Sequence, residues 1–461
     1  MNKKTLIAII VVAVLGLGGL FGYPMIKQAI LESNPVNHIL YSGIQTDDET
    51  AVDATVAITV GLDEAKMVEE GAFYGSEDPA ASAKFVNTLL SRVSFDYDII
   101  SKMDYEADDL QLVAGMALNY KEIPALELKA NVKPWEASVE APQMVNGPLY
   151  IDIQEALTAS GSEVQLSDVN LSAYLKAIDE KDDAYNAIMD NSAAYETVFR
   201  NLLEGKVEKM GKGSIEVEVN GTTSQVPVVQ YKLNITMDDI YAMYADLINV
   251  AKTDENVKAF ALDRINKIEA LVVENEDYKM FGVEKEEVTI GFEEMRTELT
   301  ENWETALDEA ATELMNQRAQ LNELNVSQNM NNVVLSIDKK NIMRQVSLDI
   351  VTEGIKITEV ITYNAFGDDV VMPAMPTTEE ARDLFEIMND EIKARTLQEE
   401  VVTNLSSKVL AGEAVTTLLE DVKTDVEMLP EAEREMMIEQ FEQSISGMEM
   451  MLPFMLSGMG M

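Results

Sequence analysis

The stretch VDATVAITVGL, residues 52–62, sets Val52, Ala54, Val56, Ile58, Val60 and Leu62 against Asp53, Thr55, Ala57, Thr59 and Gly61. A strand turns successive side chains to opposite faces, so an apolar set at period two predicts a half-buried β-strand with one wet face. The alternation recurs at Val93, Phe95, Tyr97 and Ile99, and then from Leu110 through Leu112, Ala114, Met116 and Leu118 to Tyr120. It continues at Leu126, Leu128, Ala130 and Val132 and closes with Leu149, Ile151 and Ile153. Breaks at Asp108-Asp109, Ile123-Pro124 and Asn146-Gly147-Pro148 are the expected turns. The reading is an antiparallel meander covered on its apolar face.

From Ser167 the period becomes helical, with Leu171, Tyr174, Leu175 and Ile178 on one stripe and Tyr195, Val198, Phe199 and Leu202 on another. Ser214–Val219 and Val226–Ile235 then flank Asn220-Gly221 and predict a hairpin with a somewhat long loop. Thr236 and Asp239 form the expected capping box of a helix whose stripe is Ile240, Tyr244, Leu247, Ile248 and Ala251. Helices are predicted over 257–274 and 292–324, the second carrying Met295, Leu299, Trp303, Leu307, Ala310 and Leu314 on one face. Strands return around Val333–Ile337, Ile342–Ile350 and Ile355–Tyr363, with Arg344 expected at a strand end or paired. Thr377 and Glu380 are expected to cap a helix bearing Ala381, Leu384, Phe385, Met388 and Ile392. Pro430 opens the last predicted helix, with Met437, Phe441 and Ile445 spaced by four.

Ahead of all this stand Lys3 and Lys4 and an uncharged run from Thr5 to Met25. At ~1.5 Å per helical residue such a run covers the ~30 Å hydrocarbon core of a bilayer. The leading lysines keep the N-terminus cytoplasmic and send the rest across. A cleaved signal peptide is the competing reading, although Gly16, Gly18, Gly19 and Gly22 make no clean cleavage site. The expected organisation is an anchor over 1–25, a juxtamembrane connector over 26–47, an α+β extracytoplasmic domain over 48–376 and a helical region over 377–461. The chain is then a single-pass protein of the cell membrane with its bulk outside, or a secreted one if the leading segment is removed.

Composition narrows the chemistry. The formal net charge of −47 repels nucleic acid and anionic headgroups, so no nucleic-acid partner is expected. There is no cysteine, which removes disulfides, thiol nucleophiles, thiolate metal sites and a lipoprotein anchor. His38 is the only histidine, which removes multi-histidine zinc sites. Its place in the connector predicts an ordinary solvated side chain. Paired-acid hydrolysis is compatible with the many carboxylates, yet no pair stands out. Asp47-Asp48-Glu49, Asp108-Asp109 and Asp182-Asp183 fall at expected turns without the spaced pattern of an EF-hand loop. No enzyme activity and no cofactor are expected.

Three segments together resemble a known group: Ala54–Leu62, Gln230–Ile235 running into Asp238-Asp239-Ile240-Tyr241, and Ile361-Thr362-Tyr363-Asn364-Ala365-Phe366-Gly367. In their order and spacing the chain resembles the LolA/LppX-like envelope proteins, and most of all a membrane-anchored Firmicutes branch of them. The resemblance covers roughly Thr46–Pro376 and rests on topology, so no functional residue is carried over. It implies an α+β fold: a curved antiparallel sheet, or half-barrel, with helices packed on its concave face, here preceded by one N-terminal transmembrane helix. It also implies binding of lipids or other apolar ligands through the shape of a cavity.

The C-terminus is rich in Met448, Met450, Met451, Phe454, Met455 and Met459. The thioethers of Met448, Met450, Met451, Met455 and Met459 suit Cu(I), and the segment as a whole suits a flexible apolar docking element or plain packing onto the helices. Docking onto the protein's own groove, a partner or the membrane surface is the preferred reading. The expected function is that of a non-enzymatic envelope protein that binds a lipid or a partner protein. The alternative is a purely structural envelope protein in which helices fill the sheet and leave no cavity.

Overall fold

The computed structural model describes residues 34–47, 50–105, 108–159, 166, 169–190, 192–219, 221–323, 330–352, 354–377 and 379–458. The expected membrane-spanning helix over 1–25 lies outside them. Among the described residues no helix is long and apolar enough to cross a membrane.

The chain opens with α1 (Pro35–Asp47), β1 (Ala51–Leu62), α2 (Glu64–Glu69), α3 (Pro79–Leu90) and the strands β2 (Val93–Asp104), β3 (Asp109–Tyr120), β4 (Ile123–Lys133), β5 (Glu136–Glu140) and β6 (Leu149–Asp152). Next come α4 (Ile153–Ala159), α5 (Leu171–Asp179), α6 (Asp183–Asp190), α7 (Ala193–Leu203), β7 (Val207–Val219) and β8 (Thr222–Leu233). They are followed by α8 (Met237–Thr253), α9 (Glu255–Glu274), α10 (Lys285–Glu323), β9 (Met330–Asp338), β10 (Met343–Thr352) and β11 (Ile355–Phe366). The described part ends with β12 (Arg382–Asp383), α11 (Leu384–Asn389), α12 (Glu391–Asn404), α13 (Glu413–Asp425) and α14 (Glu431–Gly458).

The architecture is α+β, with a large mixed, unclosed sheet and abundant helix. The chain divides into two compact units. The first takes Met103–Leu110 and Val164–Leu348 together with the described residues up to Ala51. The second takes Val52–Lys102, Gln111–Glu163 and Asp349–Met461.

In the second unit the strand order is β12-β6-β5-β4-β3-β2-β1-β11. The alternating stretch 52–62 lies in β1, antiparallel to β11 from Leu62↔Ile355 to Val52↔Phe366, with a bulge at Asp53/Ala54. Its apolar residues face apolar partners at Val56↔Ile361 and Val60↔Ile357, the cross-strand pairs that fix a register. The expected break at Ile123-Pro124 is displaced. Pro124 lies inside β4 opposite Asn119, and Lys121 and Glu122 make the turn, both at positive φ (51° and 64°).

The expected all-antiparallel sheet is corrected at one edge, where Arg382 and Asp383 run parallel to Leu149 and Tyr150 of β6. That pairing also overturns the helix expected from Thr377. Glu380 does accept hydrogen bonds from the Thr377 amide and hydroxyl, at 3.1 and 2.9 Å. The backbone beyond it joins the sheet, and new helices start where Asp383 and Asp390 cap α11 and α12. Met388 and Ile392, expected on one helix, are divided between α11 and α12 and are exposed. Elsewhere in this unit, Phe85 and Leu89 of α3 pack with Val422, Val426, Leu429, Met437 and Phe441.

In the first unit β9-β8-β7 form consecutive antiparallel neighbours. The capping box at Thr236 and Asp239 is present with both hydrogen bonds. The long-helix stripe is buried as expected: Leu299, Trp303 and Leu307 meet Tyr195, Leu247 and Phe260, and the Trp303 indole donates to the Ala251 carbonyl at 3.2 Å. Arg344 is paired, at 2.9 Å from Asp338.

The expectation of a solvated His38 is overturned. Pro35 at the first turn and the Asn34 side chain, which accepts from the Asn37 amide at 3.2 Å, start a helix inside the supposed connector. That helix buries Ile39 and Leu40 against Tyr231, Leu233, Leu335 and Ile337. His38 lies on the same side and is 1% exposed. Its Nδ1 is 2.7 Å from the Tyr231 hydroxyl and its Nε2 3.0 Å from Asn341 Oδ1.

Candidate apolar binding face

The two faces of β2–β4 in the second unit are told apart by their contacts. Asn119 donates to Ser94 at 3.4 Å and to Asp96, and Asp98 lies where a Cβ on Gly115 would point. Ser94, Asp96 and Asp98 therefore share a face with Gly115 and Asn119. Phe95 and Ile99 stand on the other, with Leu112 and Met116. The β3–β4 register adds Val132 opposite Leu112 and Leu128 opposite Met116.

The face with the polar residues is covered at Gln111, Val113, Asn119 and Asn131, while Asp98 and Lys129, beside Gly115, stay exposed on it. Gln111 is 8% exposed and Asn131 5%, with Val113 between them in sequence fully enclosed. The Gln111 amide donates to Asn131 Oδ1 at 2.8 Å and to the Pro373 carbonyl at 2.7 Å. Asn131 adds longer contacts to the carbonyls of Pro373 and Ala374, both 3.4 Å. The segment after β11 is thus held onto the sheet by side-chain amides, and its carbonyls are satisfied without a strand partner.

The apolar face is the open one, against the expectation that the meander buries it. Phe95, Ile99, Leu112, Met116, Leu128 and Val132 are each between 37% and 47% exposed. Together they present on the order of 400 Å² of apolar surface, a size at which an exposed patch on a soluble protein is often functional. Aliphatic, thioether and aromatic side chains on three adjacent strands form a pleated apolar surface, suited to an extended hydrocarbon chain more than to a polar ligand.

At the β3–β4 turn the electrostatics are structural. Arg92 is 2.9 Å from Asp421 and also pairs with Asp425, and Tyr120 and Lys121 each donate to Asp421 at 2.7 Å. Burial raises the Asp421 pKa, and the hydrogen bonds from Lys121 and Tyr120 with the Arg92 charge outweigh it, leaving the carboxyl below its usual range. The Tyr120 phenol is pushed up to about 12, by burial first and then by Asp421. The cluster ties α13 to the turn.

In the first unit Arg264, 3% exposed, is held by Asp182 at 2.7 Å, by Asp263 at 2.9 Å and by its stacking over Phe260 at 4.1 Å. Asp182, sequence-assigned to a solvated turn, is committed to Arg264 and Lys267 and caps α6 at the Tyr185 amide. Asp108 accepts from Ser172. Among the described residues no group of three or more His, Asp or Glu stands where it would hold a metal ion. An open depression of about 450 Å³ is lined by Asp190, Thr253, Asp254, Glu255 and Asn256, a polar and acidic lining unlike that of a lipid carrier.

The sequence-assigned docking segment is partly visible. Met448, Met450 and Met451 lie on α14 and are 47%, 68% and 57% exposed. Phe454 and Met455 continue the same helix in backbone, and Met459 lies outside the described residues. The sheet face was present in the sequence as alternating strands, but nothing in the alternation told which side would be covered. The chain matches no protein-family model, no curated protein and no solved structure.

Proposed function

We propose that this is a membrane-anchored extracytoplasmic protein of a bacterial envelope, without catalysis of its own, that holds an apolar ligand against the β2–β4 face. The single observation that carries the reading is the reversal on that sheet: amide-rich side covered, apolar side open. Burying about 400 Å² at ~25 cal/mol per Å² gives on the order of 10 kcal/mol before the cost of immobilising the ligand, enough for a lipid acyl chain. A single-pass anchor over 1–25, half-barrel curvature and helices against its concave side belong to the same proposal, as does the resemblance to LolA/LppX-like proteins. The chain's charge of −47 disfavours nucleic acid as a partner.

A structural or docking role is the second reading, favoured by the exposed Met448, Met450 and Met451. Lipid analysis of the full-length protein extracted from membranes separates the two. The ligand reading expects a stoichiometric apolar species with the wild type and its loss from Met116→Glu. Equal lipid content in both proteins would sink it.

A further inference from the structure

We propose that the outer edge of β7 pairs antiparallel with the β7 edge of a second copy of this chain, Ser214 opposite Ser214 and Lys212 opposite Glu216. β7 ends the strand order in the first unit, and no strand among the described residues pairs with its outer side. Its inner side is paired to β8 from Val207↔Leu233 to Val219↔Thr222. Val219 and Thr222 close that hairpin across two residues, and the closing pair of such a turn exchanges both backbone hydrogen bonds. Ile215 and Val217 therefore turn amide and carbonyl to β8, while Lys212, Ser214, Glu216 and Glu218 turn theirs outward. All four are exposed. A row of outward amides and carbonyls is a template for another strand.

The charge pattern selects the occupant. The edge is basic toward its start, at Lys212, and acidic toward its end, at Glu216 and Glu218. An antiparallel twofold brings the start of one copy against the end of the other, so the pattern is self-complementary, as an isologous contact requires. With Ser214 on the axis, two Lys212–Glu216 contacts form, one on either side. A shift of two residues toward the C-terminus places Glu216 opposite itself, which like charge disfavours. The bulge at Lys209/Gly211, with Gly211 at φ 125°, bends the strand and limits the ladder to its second half. Long-range repulsion between two chains of net charge −47 is screened beyond roughly 8 Å at physiological ionic strength, leaving the local pairs to decide.

The native chain has no cysteine, so a single introduced thiol reports the register. Directly opposed residues in a hydrogen-bonded pair lie ~5.5 Å apart at Cα, within disulfide reach. Full-length Ser214→Cys in mild detergent, oxidised with copper–phenanthroline, is expected to form a covalent dimer. Glu218→Cys, displaced along the strand, is expected to cross-link at least tenfold more slowly. Adding Lys212→Glu to Ser214→Cys should slow the reaction at least tenfold, and the further exchange Glu216→Lys should restore it. Equal cross-linking at 214 and 218, indifference to Lys212→Glu, or no rescue by the exchange would each overturn the proposal. Circular dichroism of each variant checks that these exposed substitutions leave the fold in place.

Discussion

The Gln111 side-chain amide donates to the Pro373 carbonyl at 2.7 Å, from the side of β3 opposite Leu112 and Met116. That bond, with the 2.8 Å bond from Gln111 to Asn131, marks the covered face as the polar one. Replacing Gln111 by Ala leaves the Pro373 carbonyl and the buried Asn131 Oδ1 without this donor, which costs about 1–3 kcal/mol. Urea denaturation is expected to show that loss with the apolar face unaltered. A change below about 0.5 kcal/mol would mean the amide contacts do not hold the segment.

Glu122 supplies one of two positive-φ positions in the β3–β4 turn, at 64°. A left-handed backbone costs a non-glycine residue roughly 1–2 kcal/mol, part of which glycine returns through its freer unfolded chain. Glu122→Gly should therefore raise stability by up to about 1 kcal/mol, read as a higher denaturation midpoint. Destabilisation would show that the Glu122 side chain does more than occupy the turn.

His38 is buried between Tyr231 and Asn341. With Asn341 Oδ1 accepting from Nε2–H, Nδ1 is the acceptor for the Tyr231 hydroxyl, which matches the neutral ring. His38→Ala leaves a cavity and removes both contacts, at a cost of about 2–4 kcal/mol. Chemical denaturation of the variant tests this, and a wild-type midpoint would return His38 to the solvated role first expected of it.

Asp182 gives the acid dependence. Its carboxyl is held well below the usual range, chiefly by the hydrogen bond from Arg264, against burial and with help from Lys267 and the Tyr185 amide. A depressed folded pKa contributes stability that is full above the unfolded value of about 4 and is lost as pH falls through the folded value. Asp182→Asn should lower stability at pH 7 by about 2–4 kcal/mol and flatten its fall between about pH 5 and pH 2. Parallel pH profiles for the two proteins would contradict the pairing.

Much of the fold was legible because its signals are local. Alternation at 52–62 and 110–120 marks strands wherever they end up, and the Thr236–Asp239 box lies within one turn of helix. The open apolar face was not legible. Which side of β3 is covered depends on Gln111 reaching a carbonyl 262 residues further on, and alternation is symmetric between the two faces. Asp182 likewise reads as a turn residue until the fold brings Arg264 to it from 82 residues away. His38 misled for a different reason: its neighbours suggested a tether, while Asn34 and Pro35 had already supplied a helix start.

Phe95, Ile99, Leu112, Met116, Leu128 and Val132 form the proposed ligand surface. Photolysis of a diazirine-bearing fatty acid with the full-length protein in membranes, followed by peptide mapping, tests it most directly. The expected result is adducts concentrated within residues 93–133 and at least tenfold fewer in Met116→Lys/Leu128→Glu, whose opposite charges face each other across β3 and β4. Adducts confined to residues 1–25, or labelling of 93–133 unchanged by the two charges, would contradict it.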